Sequence, residues 1–231
     1  MNSKKEVQKN KKAKKYNYFF YDFVRVTGAL PALLWFRVRK IYENNKKLPK
    51  MKGYMICSNH TGLSDPIVLM CAFLSRRISF VATTDLYKSK WLNFFFNGVH
   101  CIPVDRENFK MDTFHRVKEY LNNNKAVAIF PEGHINDNMN KSNLMPFKSG
   151  AILMAYQCNT PIIPVYVVPR KRWYQRSNVV IGEPLNIREI CGTFPSMNKI
   201  NECSELLRQK ETELKEIFIR SKYNKNGKRN K

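Results

Sequence analysis

The stretch YMICSNHTGLSDP, residues 54–66, runs from an apolar segment into a polar turn and then toward a proline. The apolar residues predict a short buried strand. Asp65 followed by Pro66 is typical of a helix start, with a capping carboxylate and a proline in the first turn. Gly62 and Ser64 suit the turn between the two elements. The stretch therefore predicts a strand, a turn and a helix in direct succession.

His60 and Asp65 lie in this turn, with four residues between them. An imidazole can accept a proton from an alcohol near neutral pH, and a neighbouring carboxylate fixes its tautomer and stabilises the imidazolium. The pair could therefore form a general base. The alternative is that Asp65 only caps the helix and that His60 is an unrelated loop residue. The pattern by itself is short and leaves both interpretations open.

Strand-length and helix-length segments alternate through the rest of the chain. Strands are predicted at 54–57, 78–82, 99–104, 126–130, 162–168 and 179–181, and helices at 66–74, 86–96, 111–121, 151–157 and 199–221. Such alternation is typical of an α/β fold, here a partly parallel sheet covered by helices. The length of 231 residues suits one such domain with extensions at both ends.

The composition is strongly basic, with 41 Lys and Arg against 18 Asp and Glu and a formal net charge of +23. This charge indicates an anionic partner, such as nucleic acid, an anionic membrane or an acidic ligand. The six cysteines form no Cys-x-x-Cys pair and mostly lie in apolar runs. We therefore expect reduced, buried thiols in a cytosolic setting, and neither a disulfide framework nor a zinc site.

The chain divides into a basic disordered tail at 1–15, amphipathic membrane-interface helices at 16–45, the α/β domain at 46–198, and a charged helix with a basic tail at 199–231. Aromatic and cationic residues mix in the second segment, and Gly28 and Pro31 predict a break into two short helices. The alternative is that this segment packs on the protein's own core. The sequence has no charge-free apolar run of about 18 residues, so it predicts no clear transmembrane helix. No cleavable signal peptide is evident.

Four further motifs lie in or directly after predicted strands. Phe130-Pro131-Glu132-Gly133-His134 predicts a rigid turn that presents a carboxylate, unless it is an ordinary turn. Val104-Asp105-Arg106 could grip a phosphate or form a surface ion pair. Residues 160–166, TPIIPVY, predict a core strand. Residues 170–176, RKRWYQR, could bind phosphate, a bilayer surface or nucleic acid, or form a solvated loop.

The order Asn-His-x-x-x-x-Asp, Val-Asp-Arg, Phe-Pro-Glu-Gly and Pro-Ile-Ile-Pro-Val resembles the four motif blocks of the glycerolipid acyltransferases, specifically the bacterial 1-acyl-glycerol-3-phosphate type. The segment Pro146-Phe147-Lys148-Ser149-Gly150 is similar to the Phe-Lys-x-Gly that follows the third block. The resemblance covers roughly residues 50 to 185. The N-terminal aromatic segment also looks like the two-helix membrane seat of bacterial members.

The resemblance implies that His60 is the general base and that Asp65 orients it. It assigns Arg106, Glu132 and Gly133 to acceptor binding. It also implies direct transfer without a metal, cofactor or acyl-enzyme, with acyl-CoA or acyl carrier protein as co-substrate. The chain departs from the family pattern where relatives carry Thr-Arg-Ser after Glu-Gly, because it has His134, Ile135 and Asn136 there. Thr83 also replaces a common lysine. His134, Lys148, Arg106 or the 170–172 cluster are the remaining candidates to hold a phosphate.

The predicted function is transfer of a fatty acyl group to the sn-2 hydroxyl of lysophosphatidic acid. The enzyme is expected to be peripheral or monotopic on the cytoplasmic face of the cell membrane. Its expected partners are an anionic membrane surface, the thioester donor and a lysophospholipid, with no nucleic acid. Two alternatives stay open: an acyltransferase for another lysophospholipid, and a noncatalytic basic protein that binds lipid or nucleic acid.

Overall fold

A computed structural model describes residues 17–105, 111–136 and 144–227, with side chains for all of them except Met111 and residues 223–227. Within these ranges the strands are β1 (Arg39–Tyr42), β2 (Tyr54–Ser58), β3 (Ile78–Thr83), β4 (Ile102–Val104), β5 (Ala126–Ile129), β6 (Ile162–Val167) and β7 (Asn178–Ile181). The helices are α1 (Phe19–Phe36), α2 (Asp65–Ala72), α3 (Lys90–Gly98), α4 (Met111–Asn122), α5 (Gly150–Cys158), α6 (Ile187–Cys191) and α7 (Met197–Gly227), with a 3₁₀ turn at Thr84–Tyr87. The predicted 1–15 tail and the last four residues lie outside the described residues.

The strands form one seven-stranded sheet in the order β1-β7-β6-β2-β5-β3-β4. Strands β2 to β6 are mutually parallel, whereas β7 runs antiparallel to β6 and pairs in parallel with β1. The predicted partly parallel α/β sheet is confirmed. Because five strands point the same way, their carboxyl ends meet along one edge of the sheet, where α/β folds place their sites.

Strand β2 lies at the centre and is buried along its whole length. Its side chains alternate between two cores, as the pleat of a strand requires. Met55 and Cys57 pack into the core built with α4, α5, α6 and α7. Tyr54 and Ile56 pack into the opposite core, which includes residues of α1 and α2. Burial on both faces explains why the strand is continuously apolar.

The N-terminal segment differs from its prediction. The two short helices expected over 16–45 are one continuous helix, α1, with Pro31 inside it. Pro31 lacks the N–H that would bond to an earlier carbonyl, but the helix is held on the domain by buried residues at both ends, Tyr21 and Phe36. The chain then enters β1, whose backbone pairs with β7. Four residues are too few to show a strand period, so the sequence did not indicate β1.

Helix α1 is also the one helix of the described residues that is long and apolar enough to cross a membrane by length and composition. Its 18 residues have a mean hydropathy of 1.2, and 11% of them are buried. The absence of a charge-free run therefore did not exclude such a helix. The same length and composition fit a helix that lies along a membrane surface.

The cysteines differ in part from the expectation of six reduced thiols. The structure pairs Cys191 of α6 with Cys203 of α7, whose Cα atoms lie 6.7 Å apart. Cys57, Cys71 and Cys101 are free and buried, and Cys158 is free and half-buried. The pairing depends on how α6 and α7 pack, which spacing in the sequence does not reveal.

Tyr21 fastens α1 to the domain, and its removal is a direct test of that contact. Its hydroxyl donates to the Ile78 carbonyl at 3.1 Å and accepts from the Ile78 N–H at 2.9 Å. Tyr21→Phe leaves both backbone groups buried without a partner, so we expect a loss of about 1–3 kcal/mol in the free energy of unfolding, measured by denaturant titration. Phe23→Ala, on the exposed side of α1, is the matched control and should change stability little. Equal losses in the two variants would contradict the anchoring role.

Candidate active site

The candidate site lies at the carboxyl ends of β2, β5 and β6, three neighbouring parallel strands. His60 follows β2 by two residues, and Glu132 follows β5 by three. Asp65 is the first residue of α2. The turn predicted at residues 59–65 therefore lies in the middle of this edge of the sheet, between the segments that follow β5 and β6.

His60 and Asp65 are in direct contact. The imidazole Nδ1 lies 3.0 Å from Asp65 Oδ2, and the side chains are 17% and 5% exposed. The same carboxylate oxygen accepts the backbone N–H groups of Thr61 at 2.6 Å and Gly62 at 2.8 Å. These bonds fix the carboxylate, which in turn fixes the ring. A carboxylate can only accept here, so in the neutral imidazole Nδ1 carries the proton and Nε2 is the nitrogen that can accept one.

The main chain of His60 is held by the turn after β5. Its N–H donates to Glu132 Oε1 at 3.2 Å, and its carbonyl accepts the N–H of Asn136 at 2.8 Å. Glu132 is buried, and this burial raises its pKa while the His60 N–H acts in the opposite direction. The two bonds join the third motif to the first, and we call this pair of bonds the β2–β5 clasp.

An aromatic wall lines one side of the His60 ring. Phe130 stacks on His60 with ring centroids 4.1 Å apart and an interplanar angle of 17°. Phe80 of β3 stacks beyond Phe130 at 6.3 Å. This wall limits the rotation of the imidazole and excludes water from one of its faces.

The remaining predicted site residues fall in different places. Gly133 has a φ of +78°, and a Cβ there would lie 3.0 Å from Lys148 Cε, so the turn requires glycine. Lys148 therefore lies over this turn, and its N–H donates to the Pro131 carbonyl at 2.9 Å. His134 follows Gly133 and is exposed. Arg106 lies outside the described residues, which in that part of the chain end at Asp105.

Asn59 was not indicated by the sequence as a structural residue of the site. Its side chain donates to the Val167 carbonyl at 3.0 Å and accepts the Val167 N–H at 2.8 Å. It thus continues the β2–β6 pairing past the end of β2. In the sequence, only the position of Asn59 directly before His60 drew attention to it. That position did not indicate that Val167 is its hydrogen-bond partner.

Glu211 of α7 was also missed. It is fully buried, and neither of its oxygens has a partner at hydrogen-bonding geometry within the described residues. Burial, together with the nearby Glu132, raises its pKa well above the usual value. In the sequence Glu211 looks like any acid on a charged helix. Only the packing of α7 against β6 and β7 reveals that it lies beneath the site.

Comparisons with known proteins show the family to which the chain belongs. Residues 39–168 match the profile of the Acyltransferase family. The chain is 31% identical over 180 residues to the 1-acyl-sn-glycerol-3-phosphate acyltransferase of Bacillus subtilis, covering 76% of this chain and 87% of that protein. The chain belongs to the acyltransferase family. The resemblance drawn from the four motifs is thereby confirmed.

Other members of the acyltransferase family are more distant. The probable 1-acyl-sn-glycerol-3-phosphate acyltransferase of Mycoplasma genitalium is 28% identical over 167 residues, which cover 69% of this chain and 61% of that protein. The crystal structure of the 1-acyl-sn-glycerophosphate acyltransferase PlsC from Thermotoga maritima matches with a TM-score of 0.57 at 21% identity, covering 82% of this chain and 76% of that one. The latter comparison shows that the fold is shared. The family match ends before α7, so Glu211 lies outside it.

The buried acid Glu211 predicts a specific pH dependence of stability. Its folded pKa is raised above the unfolded value of about 4.3, so the folded state binds the extra proton and stability falls as pH rises above that value. Glu211→Gln cannot ionise, so the decline in melting temperature between about pH 5 and pH 8.5 should become shallower. Part of the decline should remain, because the pKa of Glu132 is raised as well.

The matched control for this measurement is Glu216→Gln. Glu216 lies on the same helix but is exposed and pairs with Arg220. It should leave the slope of melting temperature against pH unchanged. An unaltered slope in Glu211→Gln would show that Glu211 is not the group that binds the proton on folding.

Proposed function

We propose that this chain is a 1-acyl-sn-glycerol-3-phosphate acyltransferase. It transfers a fatty acyl group from an acyl thioester, either acyl-CoA or acyl carrier protein, to the sn-2 hydroxyl of lysophosphatidic acid and yields phosphatidic acid. The observation that carries this proposal is the 3.0 Å contact between His60 and Asp65 at the carboxyl edge of the parallel strands. The chain's relatives of that name support the choice of substrate.

The reaction follows from the state of the imidazole. Nε2 of His60 accepts the proton of the acceptor hydroxyl while that oxygen attacks the thioester carbonyl carbon. The C–O bond forms, the C–S bond breaks, and the departing thiolate recovers the proton from the imidazolium. Asp65 stabilises the imidazolium charge during the transfer and keeps Nδ1 protonated before it. No covalent link between enzyme and acyl group is needed.

Glu132 and Gly133 act on this reaction by shaping the turn around His60. The Glu132 carboxylate holds the His60 backbone, and the Gly133 turn brings Lys148 over the same loop. We assign His134, Lys148 and Arg106 to the acceptor side, Lys148 because it lies over the Gly133 turn and His134 because it follows Gly133 and is exposed. This chain has Ile135 where the family pattern has an arginine, and for that reason another lysophospholipid is the alternative acceptor.

The acceptor and product are lipids, and we propose that the protein works on the cytoplasmic face of an anionic membrane. Exposed apolar side chains follow one face of α1 at spacings of three and four residues: Phe19, Phe23, Val26, Leu30 and Leu34. Helix α3 adds Trp91 and Phe94, and Phe20 of α1 contacts Phe94 at 5.5 Å. The net charge of +23 favours anionic lipid and an acidic donor.

The catalytic assignment is tested by replacing each member of the pair. His60→Ala and Asp65→Asn should lower kcat in a thiol-release assay by about 10²–10⁴, because each removes general-base catalysis. Both should keep the melting temperature within a few degrees of wild type and should still bind vesicles. His115→Ala, an exposed histidine on α4, is the control and should keep full activity. Undiminished transfer by His60→Ala would refute the role given to the imidazole.

The substrate is tested by product analysis with several acceptors and both donors. Phosphatidic acid from lysophosphatidic acid is the expected product. Failure with that acceptor, but acylation of another lysophospholipid that also requires His60, would keep the chemistry and change the substrate.

The membrane proposal is tested by removing the outward face of α1. Phe23→Ser, Leu30→Ser and Leu34→Ser together should weaken binding to phosphatidylglycerol vesicles more than about tenfold, since each side chain contributes on the order of 1 kcal/mol in lipid. Phe194→Ser, an exposed aromatic residue between α6 and α7, should have little effect. Unchanged co-sedimentation of the triple variant would exclude α1 as the contact surface.

A further inference from the structure

A cavity opens beside the His60–Asp65 pair, on the side of β6. It has a volume of about 160 Å³ and lies between the start of α2 and the segment that follows β6. Thr61, Gly62 and Asp65 contribute to one wall, and Arg170, Lys171 and Arg172 contribute to the other. His60 does not line it, so the cavity adjoins the reacting atoms without containing them.

The charge of this cavity is positive. Its second wall carries three cationic side chains in succession, against the single carboxylate of Asp65. That carboxylate already accepts two backbone N–H groups and faces the imidazole of His60. Three consecutive cationic residues lining one small cavity favour an anionic occupant, and Arg is the side chain best suited to bind phosphate oxygens.

The basic wall is held in place by the end of α1. Arg170 is half-buried, its guanidinium carbon lies 4.6 Å from the centre of the Phe36 ring, and its Nη1 donates to the Trp173 carbonyl at 3.0 Å. Trp173 stacks on Trp35 at 5.3 Å. Arg37 donates to the Tyr174 carbonyl at 2.5 Å. An ordinary solvated loop would not need these contacts, and they hold the cationic groups close to their positions before a ligand arrives.

The other strand ends offer less positive charge. Strand β3 ends with Thr83, whose hydroxyl donates to Asp85, and the turn after β5 continues with uncharged Ile135 and Asn136. Lys148 is the cation at that turn. Of the described residues, those at the β6 end therefore provide the densest positive charge beside His60.

We propose that this cavity binds a phosphate group of a substrate, with Arg170 and Arg172 as its principal ligands. The inference rests on the proposed function and adds a specificity site to it. The phosphate belongs either to the lysolipid acceptor or to the thioester donor, since both carry one. The position beside α1, whose outer face is apolar, favours the headgroup of a lipid that enters from the membrane.

Kinetics of the full-length enzyme distinguish the two sources. The double variant Arg170→Gln and Arg172→Gln should raise a KM by at least about tenfold while kcat changes only a few-fold, because charged hydrogen bonds to phosphate are lost. A rise in the KM for lysophosphatidic acid, with monoacylglycerol acylated as before, assigns the cavity to the acceptor. A rise in the KM for the donor assigns it to the donor phosphate.

Two further variants guard against effects on folding. Arg172 is exposed, so Arg172→Gln alone leaves Arg170 on Phe36 and should give a smaller rise in the same KM. Arg176→Gln removes a cation of the same segment that does not line the cavity, and it should leave both KM values unchanged. Unaltered KM values in the double variant, or equal effects in Arg176→Gln, would overturn the proposal.

A binding measurement separates this inference from the proposed function. Glycerol 3-phosphate should raise the melting temperature of the wild-type protein relative to sodium chloride of equal ionic strength, and this rise should be lost in the double variant. If this thermal shift is found but the protein has no transferase activity, the anion site is supported and the proposed reaction is refuted. If the protein is active but shows neither the thermal shift nor the KM effect, the anion site is refuted and the proposed function is not.

Discussion

The clasp between the ends of β2 and β5 is the constraint on which the site depends. The main chain of His60 gives its N–H to Glu132 and takes the N–H of Asn136, while its ring is held by Asp65 and Phe130. Backbone and side chain are therefore fixed from different elements. In the proposed reaction, an imidazole held on both counts needs little reorganisation when a substrate hydroxyl arrives, which is how a rigid fold lowers a barrier.

This arrangement has an energetic cost, because it buries two carboxyl groups at and beneath the site. Glu132 and Glu211 are both buried, and burial raises the pKa of each. Buried carboxyl groups close to each other favour a protonated form, because two charges in a region of low polarity repel and lack solvation. Groups with strongly shifted pKa values are common at functional sites. The long helix α7 covers them and closes this part of the sheet.

Helix α1 packs on the domain with one face and exposes the other. Tyr21 and Phe36 are buried against the sheet, and the opposite face exposes Phe19, Phe23 and Leu30. A helix with both faces apolar would be expected inside a protein or in contact with lipid. Its carboxyl end also contacts the basic segment 170–177, so the exposed apolar face of α1 and the cationic wall beside the candidate site are mechanically connected.

The sequence alone determined the α/β class, most strand and helix positions, the family and the His60–Asp65 candidate, because periodicity, capping and motif order are local signals. It did not indicate β1, the continuity of α1 through Pro31, the Cys191–Cys203 pair or the burial of Glu211. Each of these depends on contacts between residues far apart in the chain: β1 on its pairing with β7, α1 on packing, and Glu211 on how α7 crosses β6. The meeting of Asp65 with the 170–172 cations was likewise decided only by the fold, because the parallel order of β2 and β6 brings their carboxyl ends together although about a hundred residues separate them.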